Sequence, residues 1–156
     1  MLCTMYSEML GNKYFLARNY ENAAVNFQTI LVDDPINKSV RKKLIICYTQ
    51  IGQIQKAFEN FYQLVREDID FIIETDPVAD DCPCVELTDK YGSVLPYENE
   101  SKDLKLMLAM LWLYCSPEKS LEFFKRILLE KSKDIRIAEV ASLIEAKVNA
   151  TNKFTH

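Results

Sequence analysis

The sequence predicts an all-α fold: a stack of three antiparallel helix pairs closed by a C-terminal capping helix, with an acidic loop inserted between pairs two and three. Three observations carry that expectation. Glycine occurs only three times and proline five times in 156 residues, too few breakers for a fold of many short strands and turns. The chain also repeats itself. At a shift of 34 residues Tyr14 meets Tyr48, Ala23 meets Ala57, Phe27 meets Phe61, Ile30 meets Leu64 and Leu31 meets Val65. A further shift of 63 brings Ala57 to Ser120, Phe61 to Phe124, Leu64 to Ile127 and Val65 to Leu128, so a third copy follows an insertion of about one repeat length. Within each copy the spacing is helical: Ala23, Phe27, Ile30 and Leu31 fall on one stripe at steps of four, three and one.

In chain order, helices are expected at ~4–17 and 20–33, at ~36–51 and 54–75, and at ~101–114 and 117–131, with a last helix at ~134–150. A single domain, 1–156, then comprises repeats at ~4–37, ~38–71 and ~101–134, the acidic insertion at ~76–100 and the capping helix. The small residue that begins each stripe lets a neighbouring helix approach, and the aromatic one turn later fills the space beyond it. A pair built this way cannot cover its own apolar faces, so stacking supplies the core. Pro35 and Pro117 suit helix starts, where a missing N–H costs little. Ile69, Ile72 and Ile73 carry the fourth helix beyond the repeat length until Asp76-Pro77 stops it. Asp134 can cap the last helix, whose Ile137, Val140, Ile144 and Val148 would cover the end of the stack.

The stretch "MLGNKYFLARNYENAAVNFQTILVDDP" resembles a tetratricopeptide repeat (TPR), whose pattern is W-x2-L-G-x2-Y, then A-x3-F, then a closing P. Leu10, Gly11, Tyr14, Ala23, Phe27 and Pro35 occupy their slots, with Ser7 in place of the Trp. The second copy keeps Tyr48, Gly52, Ala57 and Phe61 and puts Ile45 in the Gly slot. The third is looser, with Leu111 for the Tyr and Ser120 for the Ala. The resemblance covers ~4–70 well and ~101–131 weakly.

Composition narrows the function classes. Apolar residues make up 49% and charged residues 27%, the balance of a folded soluble chain. A net charge of −4 speaks against a general nucleic-acid binder, which carries a basic excess. "MLCTMYSEMLGNKYF" acquires polar residues too early for an apolar signal core, and the longest apolar run, "LKLMLAMLWLYC", is too short to span a bilayer. Five cysteines, an odd number, fit reduced thiols in a cytoplasmic protein. Glycines at 11, 52 and 92 cannot form a phosphate-cradling loop, and the one histidine is the terminal His156. The chain is therefore expected not to be an enzyme, and no cofactor, nucleic acid or membrane is expected among its partners.

Charge is uneven along the chain. Residues 67–103 hold twelve acids against Lys90 and Lys102, a net −10, whereas the remainder is +6. Such a segment is expected to be a solvated loop, or else to fold back across basic residues such as Lys42 and Lys105. Within it lie Cys82 and Cys84, flanking Pro83. Structural zinc wants four ligands, and no second cysteine pair lies nearby in sequence. Neighbouring acids would hold these thiols protonated, so they are expected to be reduced and inert, without metal. Cys3, Cys47 and Cys115 are expected as small core residues.

TPR families are interaction modules. The resemblance implies a concave groove lined by the first helix of each pair: Glu8, Asn12 and Phe15, then Lys42, Ile46 and Thr49, then Lys105, Ala109 and Trp112. A subfamily clamps the carboxylate tails of chaperones, but Glu8 and Lys43 depart from its pattern and Glu8 would repel a carboxylate. Arg41, Lys42, Lys43, Lys102 and Lys105 offer an attraction for acidic peptides. The expectation is an adaptor or scaffold that binds a peptide or partner protein. Two alternatives stay open: a regulatory sensor using Cys82 and Cys84 for redox or metal chemistry, and a stack that self-associates into a homo-oligomer.

Overall fold

A computed structural model describes the backbone of residues 2–99 and 101–154, and the side chains of 8–99 and 101–153. Among the described residues the fold is all-α, eight helices and no strand. The chain divides into two compact units, residues 1–64 and 65–156. Cys3 and Ser7 have side chains outside the described residues, and His156 lies outside them altogether.

The first unit contains α1 (Leu2–Leu16), α2 (Tyr20–Asp33), α3 (Lys38–Gln50) and the start of α4 (Ile54–Ile73). Side-chain caps mark where α2 and α3 begin. Asn19 accepts the Asn22 backbone N–H at 3.3 Å, and Asn37 accepts that of Val40 at 3.1 Å, each satisfying an amide the helix leaves unpaired. α2 packs against both α1 and α3. The approach of α1 to α2 depends on Gly11: a Cβ there would stand 2.7 Å from Cε1 of Phe27, whose ring is fully buried. The hydroxyl of Tyr48 accepts a hydrogen bond from the Gln28 amide, joining α3 to α2.

α3 ends with a backbone motif that needs glycine. Gly52 has φ +80, and the next N–H, of Gln53, returns to the Tyr48 carbonyl at 2.9 Å, the outer bond of a Schellman motif. A Cβ at Gly52 would touch nothing within 4 Å, so any penalty comes from backbone conformation alone. Gly52→Ala is expected to cost about 1–2 kcal/mol in a urea melt, with Asn losing less than Ala; an unchanged midpoint for Ala would contradict the assigned turn.

The second unit holds the rest of α4, then α5 (Cys84–Lys90), α6 (Lys102–Leu113), α7 (Pro117–Leu129) and α8 (Ile135–Phe154). α6 and α7 start on serines whose hydroxyls accept the N–H groups of Leu104 at 3.1 Å and Lys119 at 3.4 Å. Pro117 takes the first turn of α7. α7 packs against α6 on one side and α8 on the other. Asp134 receives the Arg136 N–H at 3.0 Å at the head of α8, and Ile137, Val140, Ile144 and Val148 are buried. Ser120, also buried, donates its hydroxyl hydrogen to the Ala109 carbonyl at 2.6 Å, from α7 to α6.

Helix ends fall within a few residues of the periodicity-based expectations, and two features differ. The helix after Ile54 is interrupted at Asp68, where φ is −164 and ψ 80. The insertion at 76–100 is not only a loop: Asp76 Oδ1 accepts the N–H groups of Val78 at 2.9 Å and Ala79 at 3.2 Å, turning the chain toward α5. That helix buries Cys84, Leu87 and Thr88, which sit one turn apart on one face, and it packs on α6.

At the positions equivalent by sequence shift, Ala23, Ala57 and Ser120 are each 0% exposed, and so are Phe27, Phe61 and Phe124.

Candidate functional site

In the first unit the residues expected to line a groove have different surroundings. Phe15 is buried, its ring edge-on to those of Tyr20 and Phe27 with centroids 6.2 Å away in both cases. Ile46 is also buried, and Thr49 spends its hydroxyl on the Ile46 carbonyl at 2.6 Å. Lys42 is buried too. Glu8 and Asn12 are half-buried, and Asn12 Oδ1 accepts a hydrogen bond from Lys43 Nζ at 2.9 Å. That ammonium also lies 5.9 Å from the Phe15 ring centroid, a cation–π distance.

Beside Asn12 the surface of α1 opens. Met9, Leu10, Asn12, Lys13 and Leu16 line a pocket of ≈ 410 Å³, with Met9 70% and Leu16 55% exposed. Sequence reasoning named Asn12 here but missed Met9 and Leu16. Their signal was present: α1 is apolar on more than one side, and a helix with one buried face needs only one apolar stripe.

In the second unit Lys105 is buried and pairs with Glu130, the residue that follows α7, through Nζ and Oε1. Glu130 also takes Nε of Arg126 at 3.3 Å. The Lys105 hydrogen bond, then its charge and that of Arg126, pull the Glu130 carboxyl below its usual pKa. Ala109 is buried, and its carbonyl serves Ser120. Trp112 is half-buried, with the Lys119 ammonium 4.3 Å from its ring centroid.

The basic residues expected to attract acidic peptides mostly serve the chain itself. Arg41 donates to Asn60 Oδ1 and, at 2.9 Å, to the Pro35 carbonyl. Lys43 and Lys105 have the partners given above, and Lys105 is held by Glu130 at the end of α7, not by the acidic insertion. Only Lys102 of the five is exposed.

The cysteines depart most from expectation. Cys47 is a core residue, its thiol pushed up to about 12 by burial. Cys82 and Cys84 are buried, not solvated loop thiols, whereas Cys115, expected in the core, is exposed. Cys115 follows the last turn of α6, its N–H on the Trp112 carbonyl at 2.9 Å. Cys115 exerts a lowering influence on the Cys84 thiol, against which Cys82 and burial push that thiol up to about 11; Cys84, then burial, raises the Cys115 thiol. Among the described residues no group of three His, Cys, Asp or Glu side chains is arranged to hold a metal ion, and no helix is long and apolar enough to cross a membrane.

No protein-family model matches the chain, and neither a curated protein nor a solved structure does.

Proposed function

We propose that the chain is a protein–protein interaction module, a TPR-like adaptor or scaffold that receives a peptide or partner protein on the face of α1 carrying Glu8 and Asn12. One observation carries this reading: two large apolar side chains, Met9 and Leu16, stand exposed around an ≈ 410 Å³ pocket with Asn12 and Lys13 beside them. Interfaces are built from such apolar anchors with a few polar groups that fix orientation, and contiguous exposed apolar surface marks contact sites. The resemblance to TPR sequences supports the same class, since residues at equivalent slots are equally buried and Gly11 admits the Phe27 ring.

A photo-reactive group at Lys13 tests the proposal. In extract from the native host it is expected to yield a discrete protein adduct, and Met9→Glu with Leu16→Glu should remove it. Both positions are exposed, so the double variant should keep its melting behaviour. A chain–chain adduct would assign the face to self-association instead. An identical adduct from the same group at Glu122, exposed on α7, or an adduct insensitive to the double substitution, would overturn the proposal.

A further inference from the structure

We propose that the outward face of α2 is a second docking surface, and that its occupant is a partner helix with an apolar stripe and basic flanks. The inference goes beyond the α1 face and shares no residue with it.

The sequence of α2 carries two apolar stripes where one is enough. Ala23, Ala24, Phe27 and Ile30 are buried in a helix that packs against α1 and α3. Val25, Thr29 and Val32 follow one another at steps of four and three on the opposite side. Val25 is 58% and Val32 80% exposed, and Ile36, in the turn that follows, is 81% exposed. That turn is pinned: the Asn37 N–H returns to the Asp34 carbonyl at 3.2 Å, and Arg41 donates to the Pro35 carbonyl at 2.9 Å. The Thr29 hydroxyl donates to the Val25 carbonyl at 2.9 Å, so covering the ridge strands no hydroxyl hydrogen. Valine and isoleucine have few rotamers to lose, which keeps the entropic cost of covering them low. A continuous apolar ridge on an outer helix marks a contact surface.

Charge names the occupant. α2 holds Glu21 and Asp33 and neither lysine nor arginine, and Asp34 follows it. Glu21 stands one turn before Val25 and Asp33 one turn after Thr29, so a carboxylate flanks each end of the ridge. The nearest bases in sequence, Arg18 and Lys38, lie beyond the two ends of the helix, and Arg18 donates to the Phe15 carbonyl at 3.3 Å. Such a rim disfavours an acidic surface and attracts lysine and arginine. A helix with an apolar stripe at the same steps packs its ridge beside that of α2. The α1 face carries Lys13 instead, so the two faces select partners of opposite charge.

The test uses the full chain and two synthetic helical peptides of about 15 residues, read by fluorescence anisotropy. Both carry leucines at steps of four and three; one is flanked by lysines and the other by glutamates. At physiological salt the lysine-flanked peptide is expected to bind roughly tenfold more tightly, and Glu21→Lys should shrink that ratio. Val25→Ser with Val32→Ser should weaken the lysine-flanked peptide by about thirtyfold. Both positions are exposed, so the double variant should keep its melting behaviour. Met9→Glu with Leu16→Glu should leave binding unchanged, which separates this surface from the α1 face. No binding of either peptide at millimolar concentration, equal binding of both, indifference to the valine substitutions, or loss in the α1 variant would each overturn the proposal. So would a free chain of doubled mass that the valine substitutions return to a monomer, since a second copy would then own the face.

Discussion

Phe61→Ala is expected to destabilise the chain by roughly 3–5 kcal/mol. Phe61 is fully buried, and its ring stacks on Phe58 with centroids 6.4 Å apart. Removing it takes away a large buried apolar surface and leaves a cavity that close-packed neighbours fill only in part. Ala57, one turn earlier, is fully buried as well and is too small to fill the void. A denaturant melt reads the loss directly. A change below about 1 kcal/mol would show that the site collapses freely and that Phe61 is not the equivalent of Phe27 and Phe124.

The second large effect concerns a charge. Lys105 is 3% exposed, whereas the Glu130 side chain is 25% exposed. Glu130→Ala would strand a buried ammonium, a change that costs 3–5 kcal/mol in a closed site; water reaching the Glu130 side reduces the expectation to about 2 kcal/mol. Replacing both partners, as Lys105→Met with Glu130→Leu, should recover most of that loss because no ion is left unpaired. The pair also sets a pH response. The folded state holds the Glu130 carboxyl below its ordinary pKa; its contribution is therefore present above about pH 4.3 and is lost as pH falls through the lowered value. Melts of the wild type and Glu130→Gln should draw together as pH falls from about 4.3 and converge below the lowered folded-state value. A constant difference across that range would mean the pair does not couple to folding.

Helix positions were legible because they depend on local spacing. Phe27 and Phe61 advertise their burial by lying four residues after a small residue and three before another apolar one, a pattern that survives without tertiary information. α5 escaped the same reading. Two of its three buried residues are Cys84 and Thr88, which carry little hydrophobic signal, and the acids around them mimic a solvated loop. The basic residues misled for another reason: a long Lys or Arg stem can be buried while its head finds a partner, and Lys105 with Glu130 is a pairing between helices that no local pattern encodes. The packing of α5 on α6 is likewise a tertiary contact that no local pattern encodes. Of the α1 face, Asn12 was visible through the resemblance, while Met9 and Leu16 occupy no slot of the repeat pattern.

The hydroxyl of Ser120, buried where the two earlier copies carry alanine, gives the α6–α7 pair a property the alanines cannot supply. Apolar faces tolerate sliding, because one methyl packs against a groove much as another does. A helix moved by a fraction of its turn of about 5.4 Å would carry the hydroxyl away from the Ala109 carbonyl and give up a bond worth about 1 kcal/mol. Ser120 thus acts as a ratchet tooth: it adds little to the strength of the pairing but makes one axial setting of α7 on α6 preferable to its neighbours.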